Sequence, residues 1–135
     1  MDTTSAPLEE TRAPGATRWV RTVRDTVTGL VVAVDKKDNT FLFLTYETGR
    51  VDLGGGTLPG DAGIGLAKLS PDGKHLWSRG FPTSGGILPL VRALAVDAAG
   101  NLYVTGVHFD GALSLGGAPL PAGAFVAKYA PDGRH

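Results

Sequence analysis

Oxygen-bearing side chains gather twice in this chain at one spacing. Asp35-x-x-Asp38-Asn39 and Asp97-x-x-Gly100-Asn101 each set a carboxylate beside an amide. Such oxygens are what calcium takes, so Asp35, Asp38 and Asp97 are the candidates for a metal site. Calcium binds roughly six to eight oxygens, more than these short runs supply. The same letters read more simply as β-turns, in which aspartate accepts backbone amides and asparagine tolerates positive φ. The turn reading is preferred, and no metal or cofactor is expected.

Other chemistry-bearing residues meet the same test. Asp72 and Asp132 both sit in Pro-Asp-Gly, and a motif present at two places fits turn geometry better than a single catalytic centre. His75, His108 and His135 stand singly, without the paired spacing of a zinc site. His75 and His135 hold matching positions and read as strand starts, whereas copies of His108 could converge about an axis if the chain assembles. Gly54-Gly55-Gly56 is not followed by Gly-Lys-Ser/Thr, and Gly60-x-x-Gly63-x-Gly65 is out of order for a dinucleotide loop. No Gly-x-Ser-x-Gly elbow is present. No catalytic residue is assigned. Tyr46, Tyr103 and Phe109 fall near the ends of strand-like runs and, with His108, form the candidate ligand-binding set. Trp19 and Trp77 could stack on sugar rings, but their matched contexts assign them to packing that locks an outer strand.

The elements that position these residues are written out twice. Val34-Asp35 to Phe41 returns as Val96-Asp97 to Tyr103, Leu53-Gly54-Gly55 as Leu115-Gly116-Gly117, and Leu66-Ala67-Lys68 to Gly73 as Val126-Ala127-Lys128 to Gly133, with landmarks 60 to 62 residues apart. Repetition on this scale marks units that bury their apolar faces by stacking on one another. Residues 1 to 17 read as a flexible leader carrying Pro7 and Pro14. Trp19 to Val23 alternates apolar with polar, as a half-buried strand does. Further strands are expected over residues 30–34, 40–46, 64–69, 76–81, 91–96, 102–107 and 124–129, the first of them buried on both faces. No helical period appears, so the chain is expected to be all-β.

That order predicts two four-stranded antiparallel blades cut out of phase. Residues 18–81 hold an outer strand plus one complete unit, and 82–135 a second unit lacking its outer strand. The missing strand is expected from a segment like 18–23, by strand exchange or closure.

The charges balance, with 13 basic and 13 acidic side chains, so no basic field is present to draw nucleic acid or anionic lipid. Without cysteine there is no disulfide and no thiolate chemistry. No apolar run approaches the roughly 20 residues of a membrane-spanning helix, and the first residues lack the pattern of a secretory signal.

The run Leu94-Ala95-Val96-Asp97-Ala98-Ala99-Gly100-Asn101-Leu102-Tyr103-Val104-Thr105-Gly106, followed by Leu115-Gly116-Gly117, Phe125-Val126-Ala127-Lys128-Tyr129 and Pro131-Asp132-Gly133, resembles a known family. It is similar to the seven-bladed β-propeller repeats of bacterial, myxobacterial-type cell-surface proteins. The resemblance covers roughly residues 18 to 135. It implies propeller blades and an extracytoplasmic or cell-surface setting, and no shared reaction. The first unit departs from the pattern with Lys36-Lys37-Asp38 before Asn39 and with Thr45-Tyr46 in place of Thr105-Gly106.

A ring of typically about four to eight blades needs more than two. The expected partners are therefore copies of the chain, which give an even number of blades, or the remaining blades of a longer protein. The function expected is a non-catalytic binding or scaffold surface for a protein or glycan. A lectin-like propeller with pockets between blades is the first alternative, and a hydrolase or lyase with its site on the axis is the second.

Overall fold

The computed structural model describes residues 15–23, 26–47 and 50–135, and it is all-β. Most of the expected leader, residues 1–14, lies outside the described residues. Seven strands form: β1 (Thr26–Val34), β2 (Thr40–Glu47), β3 (Gly63–Leu69), β4 (His75–Pro82), β5 (Leu90–Val96), β6 (Leu102–His108) and β7 (Gly123–Tyr129). They make two antiparallel sheets, β1-β2-β3-β4 and β5-β6-β7. Neither sheet closes on itself.

Matched letters produce matched register. Phe43 of β2 lies opposite Val31 and Leu66, and Thr105 of β6 lies opposite Ala93 and Val126. The first strand of each sheet carries a bulge, between Val27 and Gly29 in β1 and, two positions further along the repeat, between Val91 and Ala93 in β5. A bulge bends its strand and increases the local twist.

Two clusters hold the fold. The larger lies between the sheets and joins Phe41, Phe43, Ile64, Leu66 and Phe81 of the first to Leu102, Val104, Phe125 and Tyr129 of the second. Period-two alternation puts these side chains on facing surfaces. The smaller cluster packs Leu44, Tyr46 and Ala67 beneath the β2–β3 loop residues Val51, Leu53 and Leu58. Leu113 and Leu115 play that part in the second sheet and are equally buried.

Two expectations need correction. The strand expected over residues 18–23 does not form, because a strand exists by its ladder and the two sheets place none of their seven strands beside this segment. The second sheet accordingly has three strands. The run 30–34 is not buried on both faces either: Leu30, Val32 and Val34 are each more than half exposed, because the second sheet packs on the opposite face, the one that carries Val31.

Candidate functional site

The tight turns at one end of both sheets carry most of the polar chemistry. In the first, the Asp35 carboxylate accepts the Lys37 amide at 2.8 Å, the Asn39 amide at 2.9 Å and the Asn39 side chain at 2.9 Å. In the second, Asp97 accepts Ala99 at 3.0 Å, Asn101 at 2.9 Å, the Asn101 side chain at 3.1 Å and the Tyr103 hydroxyl at 3.2 Å. These carboxylates are occupied in shaping turns. Burial works to raise the Asp35 pKa, but the Asn39 and Lys37 hydrogen bonds and the Lys68 charge outweigh it and hold the group below its ordinary value. The Asn101 side chain and amide do the same for Asp97. Asp38 has φ of 64°, the left-handed conformation that Gly100 adopts at 87° in the matching turn. Among the described residues no three His, Cys, Asp or Glu side chains gather to hold a metal ion.

Between these turns runs a cleft of about 140 Å³, with Asp35, Lys36, Lys37 and Lys68 on one side and Asp97, Gly100 and Pro131 on the other. Charges of both signs line it. Lys68 crosses the sheet boundary, its Nζ donating to the Pro131 carbonyl at 3.3 Å while lying 5.3 Å from the Phe41 ring centre.

Pro131 is also where the sheets are latched. Trp77 Nε1 donates to the Pro131 carbonyl at 3.0 Å and Arg79 Nη1 to the Gly133 carbonyl at 2.7 Å. The same pair of bonds occurs at the other end of the chain: Trp19 Nε1 donates to Pro71 at 3.0 Å and Arg21 Nη1 to Gly73 at 2.5 Å. Both glycines have positive φ, and each indole lies so close that a Cβ there would come within about 3 Å of its ring, at 2.8 Å for Gly73 and 3.1 Å for Gly133. Gly-to-indole contact thus explains why the turn motif and the Trp-x-Arg motif occur together.

The structure does not gather the candidate ligand-binding residues into one place. Tyr103 sits beside the cleft at the start of β6, with Lys128 Nζ 5.3 Å from its ring centre. Tyr46 is buried at the far end of β2, its hydroxyl donating to Pro59 at 2.5 Å, and burial raises its pKa to about 12. His108 is buried at the far end of β6, with Nε2 2.8 Å from the Asp110 carbonyl and Nδ1 3.4 Å from that of Pro121. Phe109 next to it is exposed. Of these four only Tyr103 lies beside the cleft, through its bond to Asp97, while the turn carboxylates Asp35 and Asp97 line it. Lys68 and Pro131 escaped the sequence reading because neither a carbonyl acceptor nor an inter-sheet reach leaves a mark in the letters.

A second, apolar cleft of about 260 Å³ runs beside β7, lined by Leu115, Leu120, Phe125, Val126, Ala127 and His135. Among the described residues no helix is long and apolar enough to cross a membrane. In comparisons with known proteins, no family model, no curated protein and no solved structure matches this chain.

Proposed function

We propose that the chain is a non-catalytic pair of β-propeller blades that acts as a binding or scaffold surface once its open faces are covered. The observation that carries this reading is the latch made twice, Trp77 and Arg79 on the Pro131–Gly133 turn and Trp19 and Arg21 on the Pro71–Gly73 turn. Wedges stacked about an axis need one contact reused at every boundary, and this pair supplies it. The turn carboxylates are taken up by backbone and side-chain donors, which fits a rim that recognises better than one that reacts.

A lectin-like reading has one specific point in its favour. The mixed-charge cleft beside Tyr103 lies at a sheet boundary, and every further boundary would repeat it. Electron micrographs of the purified protein test the blade reading: rings with a central channel are expected, and solid or elongated particles would refute it. A glycan array then separates the two binding modes. Saturable binding lost in Lys37→Glu would establish sugar recognition, and a blank array leaves the scaffold reading in place.

A further inference from the structure

We infer that residues 18–23 of a second copy of this chain add to the outer edge of β7, in one register, and that the same contact closes the assembly. The inference rests on the blade reading and goes beyond it by naming the partner, the edge and the residue pairs.

Three observations converge on that edge. First, β3 carries β4 as its outer neighbour, whereas β7 ends its sheet with no strand beside it among the described residues. Second, the chain already holds a segment in the pose of an outer strand. Trp19 and Arg21 grip the Pro71–Gly73 turn as Trp77 and Arg79, which belong to β4, grip the turn of the following sheet. The segment therefore stands where the β4 of a preceding sheet would stand. Third, the apolar cleft of about 260 Å³ lies beside β7, on the side where β4 covers β3. In the first sheet that space is closed: a Cβ on Gly80 would fall 3.0 Å from Leu58 and 2.5 Å from Pro59. Thr22 holds the position of Gly80, and the cleft has room for its side chain.

The faces agree with the edge. Inside one chain, Leu94 and Val96 pack against the surface bearing Phe41 and Leu66. The matching residues Val32 and Val34 are exposed at 57% and 58%, and Val126, which matches Leu66, at 73%. Two half-interfaces are open, and the closed one in the same molecule shows how they fit. Such a contact joins unlike surfaces, so it runs head to tail and closes into a ring when the rotation allows. About four to eight blades correspond to two to four copies.

The register follows from β3 and β4. Lys68 pairs with Trp77, Leu66 with Arg79 and Ile64 with Phe81. Transferred to the open edge, Lys128 meets Trp19, Val126 meets Arg21 and Ala124 meets Val23 of the second copy. Lys128 then reaches that copy's Pro71 carbonyl, as Lys68 reaches Pro131.

The absence of native cysteine makes the test clean. The full chain carrying Val23→Cys and Ala124→Cys is oxidised and run on a denaturing gel without reductant. Disulfide-linked dimers or closed multimers are expected in at least half of the protein, with a several-fold lower yield from Val23→Cys with Val126→Cys, which is out of register. A monomer with free thiols, a monomer with an internal disulfide, or equal yields from both pairs would each overturn the inference. Rings in micrographs without the expected cross-link would leave the blade reading standing and defeat this contact. The single variants, examined by circular dichroism, show that loss of cross-linking is not loss of folding.

Discussion

The face of the first sheet that carries Phe43, Ile64 and Leu66 and the face of the second that carries Thr105, Ala124 and Val126 occupy matched strands in matched register. The first is sealed, with all three side chains at most 1% exposed, whereas Val126 is 73% exposed. The residue types follow the difference: large apolar groups where a neighbour is built into the chain, smaller and more polar ones where it is not. Apolar area stabilises only when removed from water, so the two faces diverge in energy although their backbones agree.

The sharpest way to break the comparison is a large-to-small change on each face. Phe43→Ala should cost about 3–5 kcal/mol, through lost burial and the cavity left between the sheets. Thr105→Ala at the matching position should cost about 0.5 kcal/mol in dilute protein, as surface changes do. Urea midpoints at constant m-value measure both. Equal losses would mean that the second face is already covered at that dilution.

The turns give the next contrast. Gly100 at φ 87° and Asp38 at φ 64° do the same work, but a Cβ on Gly100 would also lie 3.3 Å from Pro131. Gly100→Ala should therefore destabilise by about 1–2 kcal/mol, and Asp38→Gly should be neutral or stabilise by a few tenths, since aspartate is among the residues that tolerate this region. Thermal melts of the pair read the difference. A comparable loss from both would show that Asp38 contributes through its side chain and not through its conformation.

At the latch, Trp77→Phe keeps most of the ring packing on Phe41, whose centre is 6.3 Å away, and removes the hydrogen bond to Pro131. The Lys68 ammonium remains on that carbonyl, so the group is not orphaned, and the cost should be near 1 kcal/mol. The double change with Lys68→Met leaves Pro131 without either donor. It should exceed the sum of the singles by about 0.5 kcal/mol or more, which a double-mutant cycle measures. Simple additivity would show that water satisfies the carbonyl.

Much of this was legible in the letters, for stated reasons. Strand alternation placed β2 to β7 to within a residue or so at each end, because every one of them sets apolar side chains against a core. The start of β1 was not legible: Thr26-Val27-Thr28-Gly29 lacks the apolar signal and carries the bulge. Nor was the loop contribution, since Val51, Leu53 and Leu58 plug the end of a sheet without any period of their own. Trp19 and Trp77 were legible as equivalents, but Trp19 lies in a segment that pairs with none of the seven strands. Of the candidate ligand residues, Tyr46 and His108 carry polar tips that satisfy loop carbonyls from buried positions. From sequence such residues cannot be told from ones that face a ligand.

The finest contrast lies between the two turn carboxylates. At Asp97 the largest influence is the Asn101 side chain, and the Tyr103 hydroxyl adds a donor that Phe41 cannot offer to Asp35. At Asp35 burial is the largest influence and opposes the hydrogen bonds. Both folded pKa values lie below the ordinary 3.8. Each group therefore contributes stability that is fully present above pH 3.8 and is lost as the pH falls from 3.8 through the folded value. Asp97→Asn should lower stability at pH 7, with the difference from the native protein shrinking as the pH falls below 3.8, and it should flatten the acid limb more than Asp35→Asn. Urea melts along that pH series decide the point. A steeper effect at Asp35 would mean that the Lys68 charge, and not the donor count, governs these turns.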